Sequence, residues 1–451
     1  MRVTLINPNY NAPLAQKREY LPLGLAYIAA ILREASIDVN VIDAAALNLN
    51  LKEVRRELVR HKPEVVGITA MTDVFPEAVK TAEIVKEEVG AITIVGGVHP
   101  SILPNEIVQH PAIDIAVRGE GEMTMLELVK TLETNHGARA LGEIKGITFK
   151  VNDRIVSSPQ RPPIENLDSL PFPARDLFPY KLYRGYQYMV RQKPSTHVIT
   201  SRGCPFNCVF CASKTIWGRG FRVRSPDNVL NEIEHLMDKF HVREVLIYDD
   251  TFNVDLSRVE AICDEILSRK LDIIWRAQAR VYPLTEEVLK KMKRAGCWCI
   301  YFGVESGVQK ILRATKKGIT LEQVDQAFKL AKKVGLRTTA YFMIGLPGDN
   351  EVTVRQTIKY AKHLDPDFAV FSITTIYPGT ELSEMARKNN LIQSTIYETH
   401  DFTKNELEQM LRLALKEFYF RPTYILRHLY RIRSWQEFLS TIPAAYSIFR
   451  S

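Results

Sequence analysis

Short apolar runs alternate with amphipathic stretches along most of this 451-residue chain. In the first part, five β-branched runs have the pattern that a parallel sheet buries on both faces, and helical spacing of apolar residues separates them. Strands that alternate with helices indicate βαβ units and a doubly wound parallel sheet, whose ligands bind beyond the carboxyl ends of the strands. We therefore predict an α/β, Rossmann-like domain at residues 1–135. Its predicted strands are residues 3–7, 38–43, 65–69, 92–96 and 114–118.

A second alternation of strands and helices occupies residues 195–390. Six βα units fit an open, partial (β/α)6 barrel, in which active groups lie at the carboxyl ends of the strands. The predicted strands are residues 197–200, 244–248, 272–276, 298–303, 337–343 and 367–373.

Two regions break the alternation. Residues 136–194 hold a small hairpin pattern and then a proline-rich stretch, which predicts an extended linker because proline removes a backbone donor. Residues 391–451 are predicted to be a helical, basic and aromatic carboxyl-terminal region. For its end we weigh, in order of preference, a cap on the barrel, a helix lying at a membrane surface and stacking on nucleic-acid bases.

The composition limits the class of protein and the cellular compartment that we expect. With 46% hydrophobic and 25% charged residues, the chain has the make-up of an ordinary globular protein. No apolar stretch is long enough for a membrane span, and the first apolar run meets a proline too early for a secretory signal. We therefore expect a cytoplasmic protein, in which clustered cysteines indicate metal ligands rather than disulfides. The net charge of +8 permits an anionic partner but does not demand one.

Three of the six cysteines fall in one loop after the first predicted barrel strand. Cys204, Cys208 and Cys211 have the spacing C-x3-C-x2-C, and thiolates suit iron–sulfur clusters and zinc. Structural zinc sites usually need four ligands, and no matching pair stands nearby. A 4Fe–4S cluster normally takes four thiolates, so three would leave one iron open to a small molecule. The alternative is a buried or chance group of thiols.

This spacing, with Phe210 directly before the third cysteine, resembles the radical S-adenosylmethionine (SAM) superfamily. The resemblance implies that SAM chelates the open iron and that an electron from the cluster cleaves SAM to a 5′-deoxyadenosyl radical. It also implies an electron donor such as flavodoxin or ferredoxin.

Later loops extend the resemblance in the order of the barrel strands. Asp249 and Asp250 match the position near the SAM amino group, where carboxylates suit an ammonium. Gly303, Glu305 and Ser306 match the ribose-facing motif. Each of these motifs taken alone is also compatible with an ordinary βα turn. Three further sets of residues complete the candidates: Phe210 as a SAM-binding residue, Gly345 against adenine, and Gln278 with Arg280 as residues facing SAM.

The loops of the first domain resemble the cobalamin-binding domain of cobalamin-dependent radical SAM enzymes. Glycine lets a backbone lie flat against a corrin because no Cβ intrudes. The D-x-H-x-x-G signature of cobalamin mutases is absent, so the lower face of cobalt is either unligated by protein or shielded by another side chain. The candidate cobalamin residues are Leu23, Gly24, Thr69, Met71, Gly96, Gly97, His99, Gly119 and Glu120, with His99 either a ligand or a hydrogen-bonding residue.

The resemblance implies an enzyme that methylates an unactivated carbon through methylcobalamin, on a lipid, isoprenoid or other hydrophobic substrate. One alternative is a cobalamin-binding radical SAM enzyme that closes a ring or oxidises without methyl transfer. Another is a non-catalytic iron–sulfur or cobalamin sensor. No cysteine precedes Cys204, which disfavours the methylthiotransferase branch. We expect no nucleic-acid partner, and a peripheral contact with the inner membrane face is a secondary expectation.

Overall fold

The computed structural model describes residues 1–134, 137–185, 189–388 and 402–431. Its contacts divide the chain into two compact units. The first contains Met1–Gly185 and the short segment Thr215–Gly218, and the second contains the remaining described residues. The predicted domain boundaries themselves stay predictions.

The first unit is built on a seven-stranded sheet with the order β2-β1-β3-β4-β5-β6-β7. The first five strands are parallel, and β6 and β7 continue the sheet as antiparallel strands. The order reverses around β1, where Leu5 lies opposite Val41 on one side and Gly67 on the other, as in doubly wound folds. The strands are β1 (Arg2–Asn7), β2 (Asp38–Asp43), β3 (Val65–Thr69), β4 (Ile92–Gly96), β5 (Ile115–Val117), β6 (Ile147–Val151) and β7 (Arg154–Ser157).

Helices on the faces of this sheet bury their apolar sides against the strands. The helix at residues 51–61 begins at a capping box in which Asn50 and Glu53 satisfy each other's backbone N–H groups. Its buried Val54 and Leu58 join the core formed with the central strands. The helices are α1 (Leu14–Lys17), α2 (Leu23–Glu34), α3 (Ala44–Leu47), α4 (Leu51–His61), α5 (Phe75–Glu88), α6 (Val98–Ile102), α7 (Pro104–Ile107), α8 (Glu122–Glu133) and α9 (Gly137–Glu143).

The proline-rich stretch after β7 packs within the first unit and forms 3-10 turns at Leu167–Ser169, Arg175–Leu177 and Tyr180–Leu182. It is tied to the sheet at Asp43, whose carboxylate accepts hydrogen bonds from the Tyr183 hydroxyl and from Asn7 Nδ2 at 2.9 Å. Burial raises the pKa of Asp43, while these donors and nearby amides oppose the rise. The stretch predicted as a linker is therefore anchored at the carboxyl ends of β1 and β2.

The second unit is built on six parallel strands in the order β15-β14-β13-β12-β11-β8. This confirms the predicted partial barrel. A separate two-stranded ladder closes the base of the cysteine loop. The strands are β8 (Ser195–Val198), β9 (Ser201–Arg202), β10 (Arg222–Val223), β11 (Glu244–Ile247), β12 (Ile274–Ala279), β13 (Cys297–Glu305), β14 (Arg337–Ile344) and β15 (Phe368–Ile373).

Most helices of this unit begin at a side-chain cap, for example Thr320 before the helix at residues 321–334 and Asn350 before the helix at residues 351–364. Cys297 and Cys299 are buried in the core. The helices are α10 (Ser213–Trp217), α11 (Pro226–Phe240), α12 (Leu256–Ser268), α13 (Glu286–Arg294), α14 (Gln309–Ala314), α15 (Leu321–Val334), α16 (Glu351–Leu364), α17 (Glu381–Lys388), α18 (Lys404–Tyr419) and α19 (Pro422–Arg431).

The last two helices cover the edge strand β15. The Tyr419 hydroxyl accepts a hydrogen bond from Ala369 N at 3.1 Å and donates one to Ala369 O at 2.7 Å. The Tyr424 hydroxyl donates to Asp367 O at 2.8 Å, and Arg427 pairs with Asp365. These contacts agree with a cap on the barrel for the described part of the tail.

Part of the predicted basic and aromatic tail is not described. The side chains of His428, Leu429 and Arg431 are excluded, and Ile432 lies outside the described residues. Among the described residues, no helix has both the length and the apolar character that crossing a bilayer requires.

We predict that Tyr419→Phe lowers the free energy of unfolding by about 1 to 3 kcal/mol, because it leaves a backbone donor and acceptor of β15 without their partner. Urea denaturation followed by circular dichroism measures this change. Tyr282→Phe is the matched control, since the Tyr282 side chain is 57% exposed, and we expect it to change stability by less than about 0.5 kcal/mol. Equal effects of the two variants would contradict the role of Tyr419.

Candidate functional site

The cysteine loop leaves the barrel after β9 and returns at β10, and these two strands pair as a short antiparallel ladder. The middle of the loop is held from two sides: Val209 N donates to Thr315 O at 3.0 Å, and Leu382 N donates to Val209 O at 2.9 Å. The loop is therefore fixed to the ends of α14 and α17. This anchoring presents the three thiols at the carboxyl edge of the half-barrel.

The three thiols differ in exposure and in neighbours. Cys204 and Cys208 are half-buried, while Cys211 is exposed. Cys204 Sγ lies 3.6 Å from Thr251 Oγ1, and Cys208 Sγ lies 4.0 Å from Arg280 Nη1. Desolvation of the thiol raises the pKa of Cys211 to about 11; the amide of Ser213 opposes this rise, and the other two thiols add to it. The thiols are thus close enough to influence one another electrostatically.

The donor set fits an iron–sulfur cluster better than a single ion. Within the described part of the chain, no three His, Cys, Asp or Glu side chains converge on a point where one metal ion would bind. A cubane cluster does not require such convergence, because each cysteine binds a different iron. Three soft donors on one clamped loop suit a cluster with one iron left open.

Asp249 lies at the end of β11 and is almost fully buried. Its carboxylate accepts hydrogen bonds from the backbone N–H and the hydroxyl of Thr200, both at 2.6 Å, and from the hydroxyl of Ser201 at 2.6 Å. The amide of Ser201 donates a weaker bond at 3.2 Å. Both carboxylate oxygens are therefore used to shape the entry to the cysteine loop.

Asp250 is exposed and accepts a hydrogen bond from Ser213 Oγ, two residues after Cys211, at 2.6 Å. Partial desolvation raises the pKa of Asp250, and the Ser213 bond opposes the rise. Of the two predicted aspartates, Asp250 is the one with a carboxylate that is open to solvent.

At the end of β13, Glu305 has a left-handed backbone with φ of 69° and forms a buried ion pair with Lys317 at 2.6 Å. A Cβ on Gly303 would lie 2.6 Å from Glu305 Oε1 and 2.8 Å from Lys317 Nζ, so only glycine leaves room for this pair. Strained backbone of this kind is typical of functional sites. Sequence reasoning missed Lys317, because no motif surrounds this residue and the contact with Glu305 exists only in the folded chain.

The other predicted SAM residues are held by local packing. Ser306 is fully buried and bonds to the Thr357 hydroxyl at 3.2 Å. Gly345 has φ of 82°, and a Cβ there would lie 2.7 Å from the Leu407 side chain of α18. Phe210 packs against the buried cluster of Ile376, Leu382 and Ala386.

The turn after Gly345 is fixed by Asp349. Its carboxylate accepts hydrogen bonds from Leu346 N at 2.9 Å and from Thr353 Oγ1 at 2.8 Å. Burial raises the pKa of Asp349 to about 6 although these donors favour the ionised form. This group therefore titrates in a range where most aspartates stay ionised.

In the first unit, an apolar cavity of about 230 Å³ opens at the carboxyl ends of the strands. Six of the nine predicted cobalamin residues line it, and they come from four separate loops or strand ends. The lining residues among the predicted ones are Gly24, Thr69, Gly96, Gly97, Gly119 and Glu120. A Cβ on Gly97, which has φ of 111°, would lie 2.8 Å from Ala70 O, so the close approach of these loops requires glycine there.

Leu23, Met71 and His99 do not line this cavity. His99 is buried, and its Nδ1 lies 3.3 Å from Thr72 Oγ1 while its ring packs on Phe75. Burial lowers the pKa of His99. These contacts agree with the hydrogen-bonding interpretation of this histidine.

Ile216 and Trp217 also line the cavity, and they belong to the segment that groups with the first unit. Sequence reasoning missed both residues. Their only signal is the position of Trp217 six residues after Cys211, which does not indicate a cavity in a distant part of the sequence.

The chain thus combines a glycine-lined apolar cavity on a Rossmann-like sheet with three thiols at the edge of a parallel half-barrel, as expected for a protein that binds a corrin and an iron–sulfur cluster. The radical SAM superfamily model matches residues 198–361, and the B12 binding domain model matches residues 16–129. The chain is 39% identical over 421 residues to a protein named as an uncharacterized methyltransferase of Pyrococcus horikoshii, which covers 91% of this chain and 90% of that protein. The chain belongs to the cobalamin-binding radical SAM family.

Two further similarities agree with this assignment. The chain is 32% identical over 389 residues to the anaerobic magnesium-protoporphyrin IX monomethyl ester cyclase of Rubrivivax gelatinosus, covering 85% of this chain and 69% of that protein. Its fold is similar to that of TsrM, a radical S-adenosylmethionine methyltransferase from Kitasatospora setae, with a TM-score of 0.73 and 20% identity over 87% of this chain and 79% of that chain.

Family membership confirms the predicted cofactors, which are a 4Fe–4S cluster, SAM and cobalamin. It also confirms an enzyme with relatives of the methyltransferase type, a small-molecule substrate and a need for a reductant.

We predict that Gly24→Phe weakens cobalamin binding at least tenfold, because the new ring occupies the cavity that Gly24 lines while no protein atom lies within 4 Å of its Cβ. A titration of corrin absorbance with anaerobic protein measures the affinity. Gly142→Phe is the matched control: Gly142 is also helical, has nothing within 4 Å of its Cβ and lies outside the cavity. Unchanged affinity in Gly24→Phe would argue against this cavity as the cobalamin site.

We predict that Asp349→Asn removes a pH-dependent part of stability. Because the pKa of Asp349 is about 6 in the folded chain and about 4 when unfolded, its stabilising contribution is full below pH 4 and is lost as the pH rises to 6. The free energy of unfolding of the wild type, relative to Asp349→Asn, should therefore fall by about 2 to 3 kcal/mol between these values. Denaturant titrations at several pH values measure the difference, and a constant difference would contradict the assignment.

Proposed function

We propose that this protein methylates an unactivated carbon of a hydrophobic small molecule, with Cys204, Cys208 and Cys211 as the cluster ligands. The observation that carries the proposal is the clamped loop of three thiols at the carboxyl edge of a radical SAM half-barrel, in a chain that also has a cobalamin-binding unit. In this chemistry the cluster and SAM supply a carbon-centred radical, and cobalamin supplies the methyl group.

The residues of the half-barrel then have distinct tasks. Asp249 shapes the entry to the cysteine loop through its bonds to Thr200 and Ser201, and it does not itself bind the SAM ammonium. That task falls to Asp250, whose carboxylate is exposed beside Ser213. Glu305, held by Lys317, accepts the ribose hydroxyls.

In the first unit, glycine-containing loops form an apolar cavity that binds the corrin. Gly24, Gly96, Gly97 and Gly119 remove side chains from the cavity wall, and Thr69 adds a hydroxyl. Glu120 is used structurally, since its carboxylate accepts a hydrogen bond from Ile164 N at 2.6 Å. His99 supports the loop through Thr72 rather than binding cobalt.

The substrate class is inferred from a relative. The relative from Rubrivivax gelatinosus is named for a protoporphyrin ester, which is a large hydrophobic ring. A tetrapyrrole substrate fits this name, and a lipid or isoprenoid substrate has the same hydrophobic character.

The second candidate is ring closure or oxidation without methyl transfer. It is favoured by the cyclase relative at 32% identity, whereas the methyltransferase name belongs to the relative at 39%. The two reactions differ in product mass. With SAM that carries a labelled methyl group, a labelled product heavier by one methylene unit supports methylation, and an unlabelled product favours the cyclase-like reaction.

We predict that Cys208→Ala abolishes the production of 5′-deoxyadenosine, because two thiols no longer hold a cluster with one open iron. The anaerobically reconstituted protein is incubated with SAM and a reductant, and the nucleoside is measured by chromatography. Cys263→Ala is the matched control, since Cys263 is a buried thiol within α12, and we expect it to retain activity. Nucleoside production that persists in Cys208→Ala would contradict the cluster assignment.

A further inference from the structure

Arg280 follows β12 and places a buried cation against the cysteine loop. Its side chain is 5% exposed. The guanidinium carbon lies 3.6 Å from the centre of the Phe206 ring, and Nη1 lies 4.0 Å from Cys208 Sγ. Phe206 and Cys208 are both in the loop, so one guanidinium contacts the loop at a ring and at a sulfur.

The main chain of Arg280 is fixed independently of the loop. Its N–H donates to Asn253 Oδ1 at 2.8 Å, and Asn253 Nδ2 donates back to Arg280 O at 2.9 Å. Asn253 is itself almost fully buried and also donates to Pro283 O at 2.7 Å. The backbone of Arg280 is therefore held by hydrogen bonds that do not involve the cysteine loop.

The charge of Arg280 has no carboxylate partner in the described part of the chain. Nη2 donates to the carbonyl of Lys317, and Nε is buried with no hydrogen-bond partner among the described residues. A buried charge without a counterion is costly. Among the described residues in contact with it is the Cys208 thiol, which becomes an anion because it is deprotonated when it binds iron.

We propose that Arg280 is a positioning residue that holds the Cys208 side of the loop and, through its positive charge, raises the reduction potential of the cluster. The inference rests on the proposed cluster ligands and goes beyond them. Reduction adds one negative charge to a cluster that three thiolates already make anionic, so a fixed cation close to one sulfur favours the reduced form. Hydrogen bonds and charges near cluster sulfurs are known levers on such potentials.

The arrangement also links the cysteine loop to the ion pair of Lys317 and Glu305. Arg280 donates to the carbonyl of Lys317, and the ammonium of the same Lys317 pairs with Glu305. Moving Arg280 therefore affects the loop and the Glu305 side chain together. A measurement of SAM turnover alone would not separate these effects, whereas the reduction potential measured without SAM reports only on the cluster.

The test compares three variants of the full chain after anaerobic reconstitution. Arg280→Gln removes the charge, Arg280→Lys keeps the charge without the planar group, and Arg337→Gln is the matched control. Arg337 also stacks on an aromatic ring, with its guanidinium carbon 5.9 Å from Trp298, but it lies at the opposite end of its strand from the carboxyl edge. Iron and sulfide content is measured first, and the reduced cluster is then followed by electron paramagnetic resonance in a potentiometric titration.

We expect the ratio of reduced to oxidised cluster in Arg280→Gln, measured at the wild-type midpoint, to fall about tenfold, which corresponds to about 59 mV for one electron. Arg280→Lys should stay within about threefold of the wild type, since it restores the charge, and Arg337→Gln should be unchanged. A wild-type potential in Arg280→Gln overturns the inference.

If Arg280→Gln takes up no iron, Arg280→Lys decides. A cluster with the wild-type potential in the lysine variant supports the role of the charge, and a lowered potential or an absent cluster overturns it. A wild-type chain that holds no 4Fe–4S cluster refutes the proposed function itself, and this outcome is distinct because it is seen before any variant is compared.

Discussion

The half-barrel depends on the Asp249 carboxylate, which fixes where the cysteine loop begins. Its two oxygens accept the hydroxyl and amide hydrogens of Thr200 and Ser201, and they do so in a nearly water-free position. Charge-assisted hydrogen bonds of this kind are stronger than neutral ones and have a defined direction. Because the loop is also held by the end of α14 and the start of α17, hydrogen bonds within the protein position its thiols. A site that is pre-organised in this way loses little conformational entropy when the cofactor enters.

The first unit differs in that it provides a cavity for a cofactor rather than side chains that ligate a metal. Its cavity is formed where several loops leave the carboxyl ends of parallel strands, and glycines line several points of its wall. Gly97 is required by its backbone angle as well as by the carbonyl of Ala70 next to it. The second unit therefore depends on hydrogen bonds that fix a loop. The first unit depends on glycines, which place no side chain in the cavity wall.

Much of the fold could be predicted because its signals are local. The strands at residues 38–43, 65–69 and 92–96 agree with the structure to the residue, since β-branched runs between helical patterns leave few alternatives. The cysteine spacing is local in the same sense. The remaining features arise from contacts between distant residues: the antiparallel addition of β6 and β7 to the first sheet, the pairing of Lys317 with Glu305, and the place of Trp217 in the cavity wall. Sequence order puts Asp249 at a strand end, but only the neighbouring strand determines which groups its oxygens accept.

An open half-barrel has an edge strand with free backbone groups, and such an edge invites strand addition by another chain. Here two tyrosines occupy part of that edge: Tyr419 meets both polar groups of Ala369, and Tyr424 meets the carbonyl of Asp367. A tyrosine hydroxyl can form the hydrogen bonds that a neighbouring strand would form at one residue. It has no further backbone groups with which another strand could pair. The carboxyl-terminal helices thereby let a sheet remain unclosed without leaving that stretch of the edge as a template for self-association.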